Sequence, residues 1–296
     1  MDLVECETQK RGSGVKTIKA RRRKIMNFAA LSMAYLAMAF GLFFLGAILW
    51  TLIKNGLPAL TTHIFTRETP PPGSAGGLRN AIVGSAFLTG TATLIGTPLG
   101  ILAGTYLAEF NDKPRWVNIV RLLNEILLSA PSIVIGFFIY AVIVARTGHF
   151  SGWAGAAALT VILVPVIVTS TENMLKMVPS QLREAAAALG APRWRVVWSI
   201  SYRSAKTGIL TGVLLAIARI SGETAPLLFT SLNNQFWSTN MSKPMASLPI
   251  VIFQFAMSPY NDWQHLAWAG ALLITLGVLA LNVMARLFGR SHQGVF

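Results

Sequence analysis

The stretch Pro179-Ser180-Gln181-Leu182-Arg183-Glu184-Ala185-Ala186-Ala187-Ala188-Leu189-Gly190-Ala191-Pro192-Arg193-Trp194 lies between two long apolar blocks, residues 155–175 and 208–229. Ser180 suits an N-cap, because its hydroxyl can accept from the free amides of a first turn. The alanine run favours helix. Gly190 fits the left-handed position that closes a helix, and Pro192 both stops one helix and can open the next. The segment predicts a short helix, a tight turn and a second helix, all outside any lipid. Six basic side chains accompany it in residues 176–206: Lys176, Arg183, Arg193, Arg195, Arg203 and Lys206. A polar element of this kind between two spans reads as a docking element.

The rest of the chain supplies the spans. Of its 296 residues 53% are hydrophobic and 12% charged, and a soluble domain carries about twice that charged share. Six apolar blocks, residues 26–53, 81–108, 119–145, 155–175, 208–229 and 266–288, are each long enough to cross a hydrocarbon layer about 30 Å thick. The expected class is therefore an all-α integral membrane protein with six transmembrane helices. The first block exceeds the hydrophobic region of a cleaved signal peptide and predicts a retained anchor.

A net charge of +14 raises the question of nucleic acid, and its distribution answers it. With the N-terminus inside, six spans return the C-terminus to the same side. Nineteen basic residues then fall on inner segments and five on outer ones, with Arg219 left inside a span. That asymmetry orients a membrane protein and needs no nucleic-acid partner. Cys6 is the one cysteine, so no intrachain disulfide is possible.

These assignments organise the chain into a basic cytoplasmic tail (residues 1–25), a first span (26–53), an outer loop (54–80), a five-helix core (81–288) and a cytoplasmic tail (289–296). The docking loop 176–206 belongs to the core. The outer loop contains Pro70-Pro71-Pro72-Gly73, which cannot be helical. Breakers also interrupt spans at Pro98, Pro131 and Pro165, where freed carbonyls need partners such as the hydroxyls of Ser129 and Ser132. Each is either a tolerated kink or, for the bend at residues 129–136, part of a translocation path. Gly96, Gly100 and Gly104 recur every four positions and permit close helix packing. Residues 232–263 read as a second outer loop, with Trp237, Trp263 and Trp268 as interfacial anchors.

No enzymatic constellation appears. The four histidines, His63, His149, His265 and His292, lack ligand spacing, no glycine-rich nucleotide loop is present, and Ser221-Gly222-Glu223 has no accompanying histidine. Neither a metal nor a cofactor is expected, and no catalytic residue. One charged pair stands out. Arg219 lies eleven residues into the fifth block, about 16 Å along a helix and so near mid-membrane. An ionised side chain there costs about 2.5–3.5 kcal/mol. Glu223, four residues on, would share its face and offset that cost. The pair either fixes helix packing or serves a substrate path, since a guanidinium matches tetrahedral oxyanions.

Glu184-Ala185-Ala186, then Gly190, then Ile200 resembles the cytoplasmic EAA loop of bacterial ABC importer permeases. The usual ending of that loop is Ile-x-Leu-Pro, whereas this chain has Ile200-Ser201-Tyr202-Arg203. Thr97-Pro98-Leu99-Gly100, Leu127-Leu128-Ser129-Ala130-Pro131-Ser132-Ile133-Val134, Thr171-Glu172-Asn173-Met174-Leu175 and Ala218-Arg219-Ile220-Ser221-Gly222-Glu223-Thr224-Ala225-Pro226-Leu227-Leu228 are similar to phosphate-importer permeases in particular. The resemblance covers the chain from about residue 20 onward. It implies a type I (MetI-like) permease fold and an inner-membrane subunit that is not itself catalytic and conducts inorganic phosphate. It further implies two copies of a cytoplasmic ATPase, a homologous second permease completing the pore, and a periplasmic phosphate-binding protein. By the same resemblance Glu184 anchors the loop, Ala185 and Ala186 allow close approach, Gly190 makes the turn, and Arg219 and Glu223 lie on the phosphate path. Three other readings stay open: a permease for another oxyanion such as sulfate, a proton-coupled transporter relaying through Glu223 or Glu172, and a membrane scaffold or sensor.

Overall fold

The computed structural model describes residues 3–74, 76–109 and 114–290, without the side chains of 3–21, 114, 289 and 290. The basic cluster before Arg22, Cys6, Lys113 and the 289–296 tail with His292 therefore lie outside the described side chains. The described residues form helices and no strand: α1 (Leu3–Ala59), α2 (His63–Thr66), α3 (Arg79–Glu109), α4 (Pro114–Ser129), α5 (Ser132–Ile139), α6 (Ala145–Thr147), α7 (Gly152–Lys176), α8 (Ser180–Ala188), α9 (Arg193–Val196), α10 (Tyr202–Ile220), α11 (Ala225–Thr230), α12 (Leu248–Ala256) and α13 (Asn261–Arg290). Two wider-wound π segments, Tyr140–Val144 and Val197–Ser201, join α5 to α6 and α9 to α10.

Among the described residues four helices are long and apolar enough to cross a membrane: Arg22–Ala59, Arg79–Glu109, Gly152–Lys176 and Asn261–Phe288. A fifth arises if Arg115–Ser129 and Ser132–Thr147, bent by 105° at their junction, count as one span. The expected fifth span, residues 208–229, is not continuous. Helix α10 stops at Ile220, the chain turns through Ser221 and Gly222, and the six residues of α11 follow. Of the three expected breaks only Pro131 interrupts a helix; α3 runs through Pro98 and α7 through Pro165. The expected loop 232–263 also contains a helix, α12, whose Leu248, Ile250, Val251 and Phe255 are buried. Its three-residue N-terminal run Ser247-Leu248-Pro249 is a sequence signal for that start, since proline is tolerated in a first turn.

The chain divides into two units, Met1–Lys54 and Asn55–Phe296. In the first, the apolar side chains of α1 such as Phe28, Phe40, Phe43 and Trp50 are exposed, as a lipid-facing helix requires.

In the second unit α7 is the central element. It is capped by Ser151, whose Oγ accepts from the Ala154 amide at 3.2 Å. A Cβ at Gly96 would lie 2.8 Å from Leu163, one at Gly100 2.7 Å from Ile167, and one at Gly104 2.7 Å from Thr171. The glycine ladder therefore lets α3 lie directly against α7 over successive turns, as the four-residue spacing predicts. Helix α10 approaches α7 at Gly212, where an added Cβ would lie 2.6 Å from the Ser170 Cβ. Helix α4 is stitched to α7 by polar contacts: Asn124 Nδ2 donates to Thr169 Oγ1 at 2.8 Å, and Arg121 pairs with Glu172. The half-helices α5 and α11 cross at Gly136, where a Cβ would stand 2.5 Å from the Pro226 Cα. Leu88, Leu159, Leu163, Ile167, Ile220 and Leu227 fill the core between these helices.

The connections where α3 begins are equally ordered. Asn80 is buried; its Oδ1 accepts from the Thr69 hydroxyl at 2.5 Å, and its Nδ2 donates to the carbonyls of Asn234 at 2.9 Å and Gln235 at 3.2 Å. The Arg79 guanidinium stacks over Trp237 at 4.3 Å. Trp263 stacks on Phe255 with centroids 4.3 Å apart, so this tryptophan packs inside the fold.

Candidate functional site: the loop between α7 and α10

Helix α8 opens on Pro179, which takes the cap position with ψ 138°; Ser180 is the first helical residue and provides no side-chain cap. This corrects the expected role of Ser180. The closing turn is as expected. Gly190 adopts φ +76°, its amide donates to Ala187 O at 2.9 Å, and the Ala191 amide donates to Ala186 O at 3.2 Å. These two bonds form a Schellman closure, and the left-handed position within it favours glycine. Pro192 then caps α9. The result is a helix, a turn and a second helix projecting from the span bundle.

Of the four residues picked out by sequence, Ala186 is buried while Glu184, Ala185 and Gly190 are exposed. Among the described residues the Glu184 carboxylate takes no ion pair or side-chain hydrogen bond, so it is free for an outside partner. Large apolar side chains share this exposure: Leu189 at the turn is 89% accessible, and Trp194 and Trp198 are 65% and 71% accessible. Apolar surface of this size on a polar element marks a contact site. A groove of about 320 Å³ beside it is lined by Glu109, Arg183, Glu184, Ala187, Ala191 and Arg193.

Arg183 points the other way. Its NH2 donates to Leu175 O at 2.5 Å, in the last turn of α7, and lies 3.1 Å from the Glu109 carboxylate in the last turn of α3. The leaving arm is also attached to α3. Tyr202 and Thr105 share a hydrogen bond between hydroxyls at 2.7 Å. At the unusual ending, Tyr202 thus ties the leaving arm to α3, and α9, the π segment and α10 follow one another without a break. Ser201 and Tyr202 face inward, and Arg203 is exposed. Charge counting alone had left Arg183 among the orienting cations. The signal available for Glu109 was an acid at the very end of an apolar block, in a chain with 11 acidic residues against 25 basic ones.

Glu172 shows the same economy of acids. Its Oε1 lies 2.6 Å from Arg121 and 2.6 Å from Lys176. The Lys176 contact was legible as an i, i+4 pair; the Arg121 contact depends on the crossing of α4 and α7.

The Arg219–Glu223 pair does not form. Helix α10 ends between the two residues, at Ile220, so they do not share a helical face. Arg219 is exposed, and no ion pair or side-chain hydrogen bond engages it or Glu223 among the described residues. A cation left open on a span, next to the break between α10 and α11, is available to an anion or to another chain. It is not an internal packing pair.

Comparison with known proteins follows the same lines. The family model described as the binding-protein-dependent transport system inner membrane component matches residues 96–292. The phosphate transport system permease protein PstA of Pasteurella multocida (strain Pm70) is 61% identical over 266 residues, 90% of this chain and 95% of the relative. The protein of the same description from Haemophilus influenzae (strain ATCC 51907 / DSM 11121 / KW20 / Rd) is 59% identical, covering 90% of this chain and 94% of the relative. Among solved structures, a bacterial alginate ABC transporter in complex with an alginate pentasaccharide-bound periplasmic protein superposes with a TM-score of 0.65 at 13% identity, over 89% of this chain and 94% of that one. That likeness concerns the fold alone.

Proposed function

This chain belongs to the binding-protein-dependent inner-membrane transport components, among the PstA-type phosphate permeases, and on that premise we propose that it carries inorganic phosphate inward through an ATP-driven importer. It is a multi-pass permease subunit of the inner membrane. The observation that carries the proposal is the helix–turn–helix between α7 and α10. Its exposed Glu184, Leu189, Trp194 and Trp198 offer a docking face, while Arg183 and Tyr202 fasten its other side to the spans. A membrane chain without a nucleotide loop needs an energy source, and this element is where one attaches. Glu184, Ala185 and Gly190 form its ATPase-contacting surface, and the small Ala186, buried behind them, lets the helix sit close.

The remaining parts follow from that reading. Two ATPase copies act from the cytoplasm, where both termini lie, and the chain itself carries no catalytic residue. A homologous second permease completes the pore. A phosphate-loaded binding protein docks on the outer face, at the connections held by Asn80. Arg219 and Glu223, at the interruption between α10 and α11, lie on the phosphate path. Arg219 has the chemistry for a transient oxyanion contact, since a planar guanidinium meets phosphate oxygens in pairs. Residues 1–25 form the cytoplasmic tail, 26–53 the first span, 54–80 the outer loop and 81–288 the core with its coupling loop 176–206. Residues 289–296 end the chain in the cytoplasm.

The test is reconstitution of this chain in liposomes with the ATPase, the second permease and the binding protein, followed by uptake of radiolabelled phosphate. Uptake that needs ATP and resists excess sulfate is expected. Uptake abolished by a protonophore yet insensitive to ATP depletion would indicate secondary transport, and competition by sulfate at equal concentration would assign a broader oxyanion permease.

A further inference from the structure

We propose that the last turn of α3, residues 105–109, is where movement of the coupling loop enters the spans, with Arg183 and Tyr202 as the positioning residues that transmit it. The proposal rests on the reading of α8 as an ATPase-coupling helix and specifies how that helix acts.

Both arms of the loop converge on this one turn. The entering arm reaches Glu109 through Arg183 at 3.1 Å, and the leaving arm reaches Thr105 through Tyr202 at 2.7 Å. Residues 105 and 109 are four apart and share a face of α3. The contacts are sheltered: the side chains of Arg183 and Glu109 are 26% and 9% accessible, and Thr105 is buried. Arg183 also donates to Leu175 O, so one guanidinium joins α8 to the ends of both α3 and α7.

Behind the turn, the helix is built to pass displacement on. The contacts of Gly96, Gly100 and Gly104 with Leu163, Ile167 and Thr171 leave no gap between α3 and α7, and close-packed interiors transmit strain. A displacement at Glu109 therefore moves two spans together.

The latch is incompletely made. Arg183 Nη2 lies 3.1 Å from Glu109 Oε1, yet that oxygen and Arg183 Nε are both buried without a hydrogen bond, so the two groups meet as an ion pair alone. A buried polar network gains when its members become fully paired. Arg183 Nε and Glu109 Oε1 thus keep hydrogen-bonding capacity that a displacement of α8 along α3 could use. The π segment Val197–Ser201 in the leaving arm is a second irregular element at this joint; such segments recur at functional sites. On the outward face of the loop Leu189 and Trp194 remain open to the ATPase, and Trp198, itself exposed, packs edge-on against the Tyr202 ring with centroids 5.7 Å apart.

The experiment uses the full transport complex in proteoliposomes and reads phosphate moved per ATP hydrolysed. In Arg183→Gln the ATPase still co-purifies and hydrolyses ATP, while the transport ratio falls about fivefold, within the range by which residues along a coupling network act. The exchange Arg183→Glu with Glu109→Arg restores at least half of the ratio. Tyr202→Phe, which removes a single hydroxyl, lowers it about twofold. An unchanged ratio in Arg183→Gln overturns the proposal, and so does loss of the ATPase from that variant, which would make Arg183 a docking residue. If Arg183→Gln does not reach the membrane, Tyr202→Phe decides: a wild-type ratio there overturns the latch. Failure of the underlying functional reading looks different, since the unaltered complex would then show no ATP-dependent phosphate uptake.

Discussion

Arg121 of α4 and Glu172 of α7 meet at 2.6 Å, and Lys176 approaches the same carboxylate oxygen at 2.6 Å from the next turn. The carboxylate is 9% accessible, whereas the two cations are 37% and 50% accessible. Removing the acid leaves two cations that water can still reach, so the loss is smaller than for a fully buried pair. Glu172→Gln is expected to cost about 1–2 kcal/mol of stability, lowering the unfolding midpoint of the detergent-solubilised chain. Phosphate uptake per folded molecule should remain. A carboxylate serving as a proton relay would behave oppositely, losing uptake while the midpoint held.

The crossing of α5 and α11 leaves no room for a methyl group. At Gly136 an added Cβ would sit 2.5 Å from a backbone atom, the Pro226 Cα, whereas at Gly90 it would meet nothing within 4 Å. Gly136→Ala should therefore destabilise by about 1–3 kcal/mol, the usual cost of overpacking. Gly90→Ala should be neutral or slightly stabilising, because alanine is the better helix former. Thermal unfolding of both variants in one detergent checks the difference.

Gly190 offers a graded test at the coupling turn. Its φ of +76° is open to glycine, tolerable for asparagine and closed to proline. The expected order of phosphate uptake is wild type, Gly190→Asn, Gly190→Ala, Gly190→Pro, with the alanine step costing about 1 kcal/mol locally. All four proteins should reach the membrane in similar amounts. Normal uptake in Gly190→Pro would remove the loop from the transport cycle.

Arg219 is exposed and engages no side chain of its own subunit, so assembly does not depend on an internal partner. Arg219→Gln should cut phosphate uptake at least about tenfold, equal to about 1.4 kcal/mol in the transport barrier, with the complex still intact by gel filtration. Failure of the complex to form would instead place Arg219 in an intersubunit contact.

How far these features were legible from the chain depended on the range of the interactions. Local ones were readable. The glycine spacing in α3, the left-handed turn at Gly190 and the basic loop between apolar blocks are written in neighbouring residues, and the structure contains each of them. Features set by tertiary geometry were not. Apolar content alone made residues 208–229 one span, yet the bundle seats α11 against Gly136 and breaks the helix ahead of Glu223. Arg183 looked like one orienting cation among six because its partners, Glu109 and Leu175, come together only when α3 and α7 lie side by side. Helix α12 was hidden by its length: nine residues cannot cross a bilayer, and short apolar runs are ambiguous.

The Asn80 network has a consequence for recognition kinetics. One buried amide fixes two connections, at Thr69 and at Asn234–Gln235, and Arg79 holds Trp237 beside them. A protein landing there meets a template whose conformational freedom was surrendered when the chain folded. Less ordering entropy remains to be lost at encounter, so collisions can become productive without waiting for a loop to find its shape.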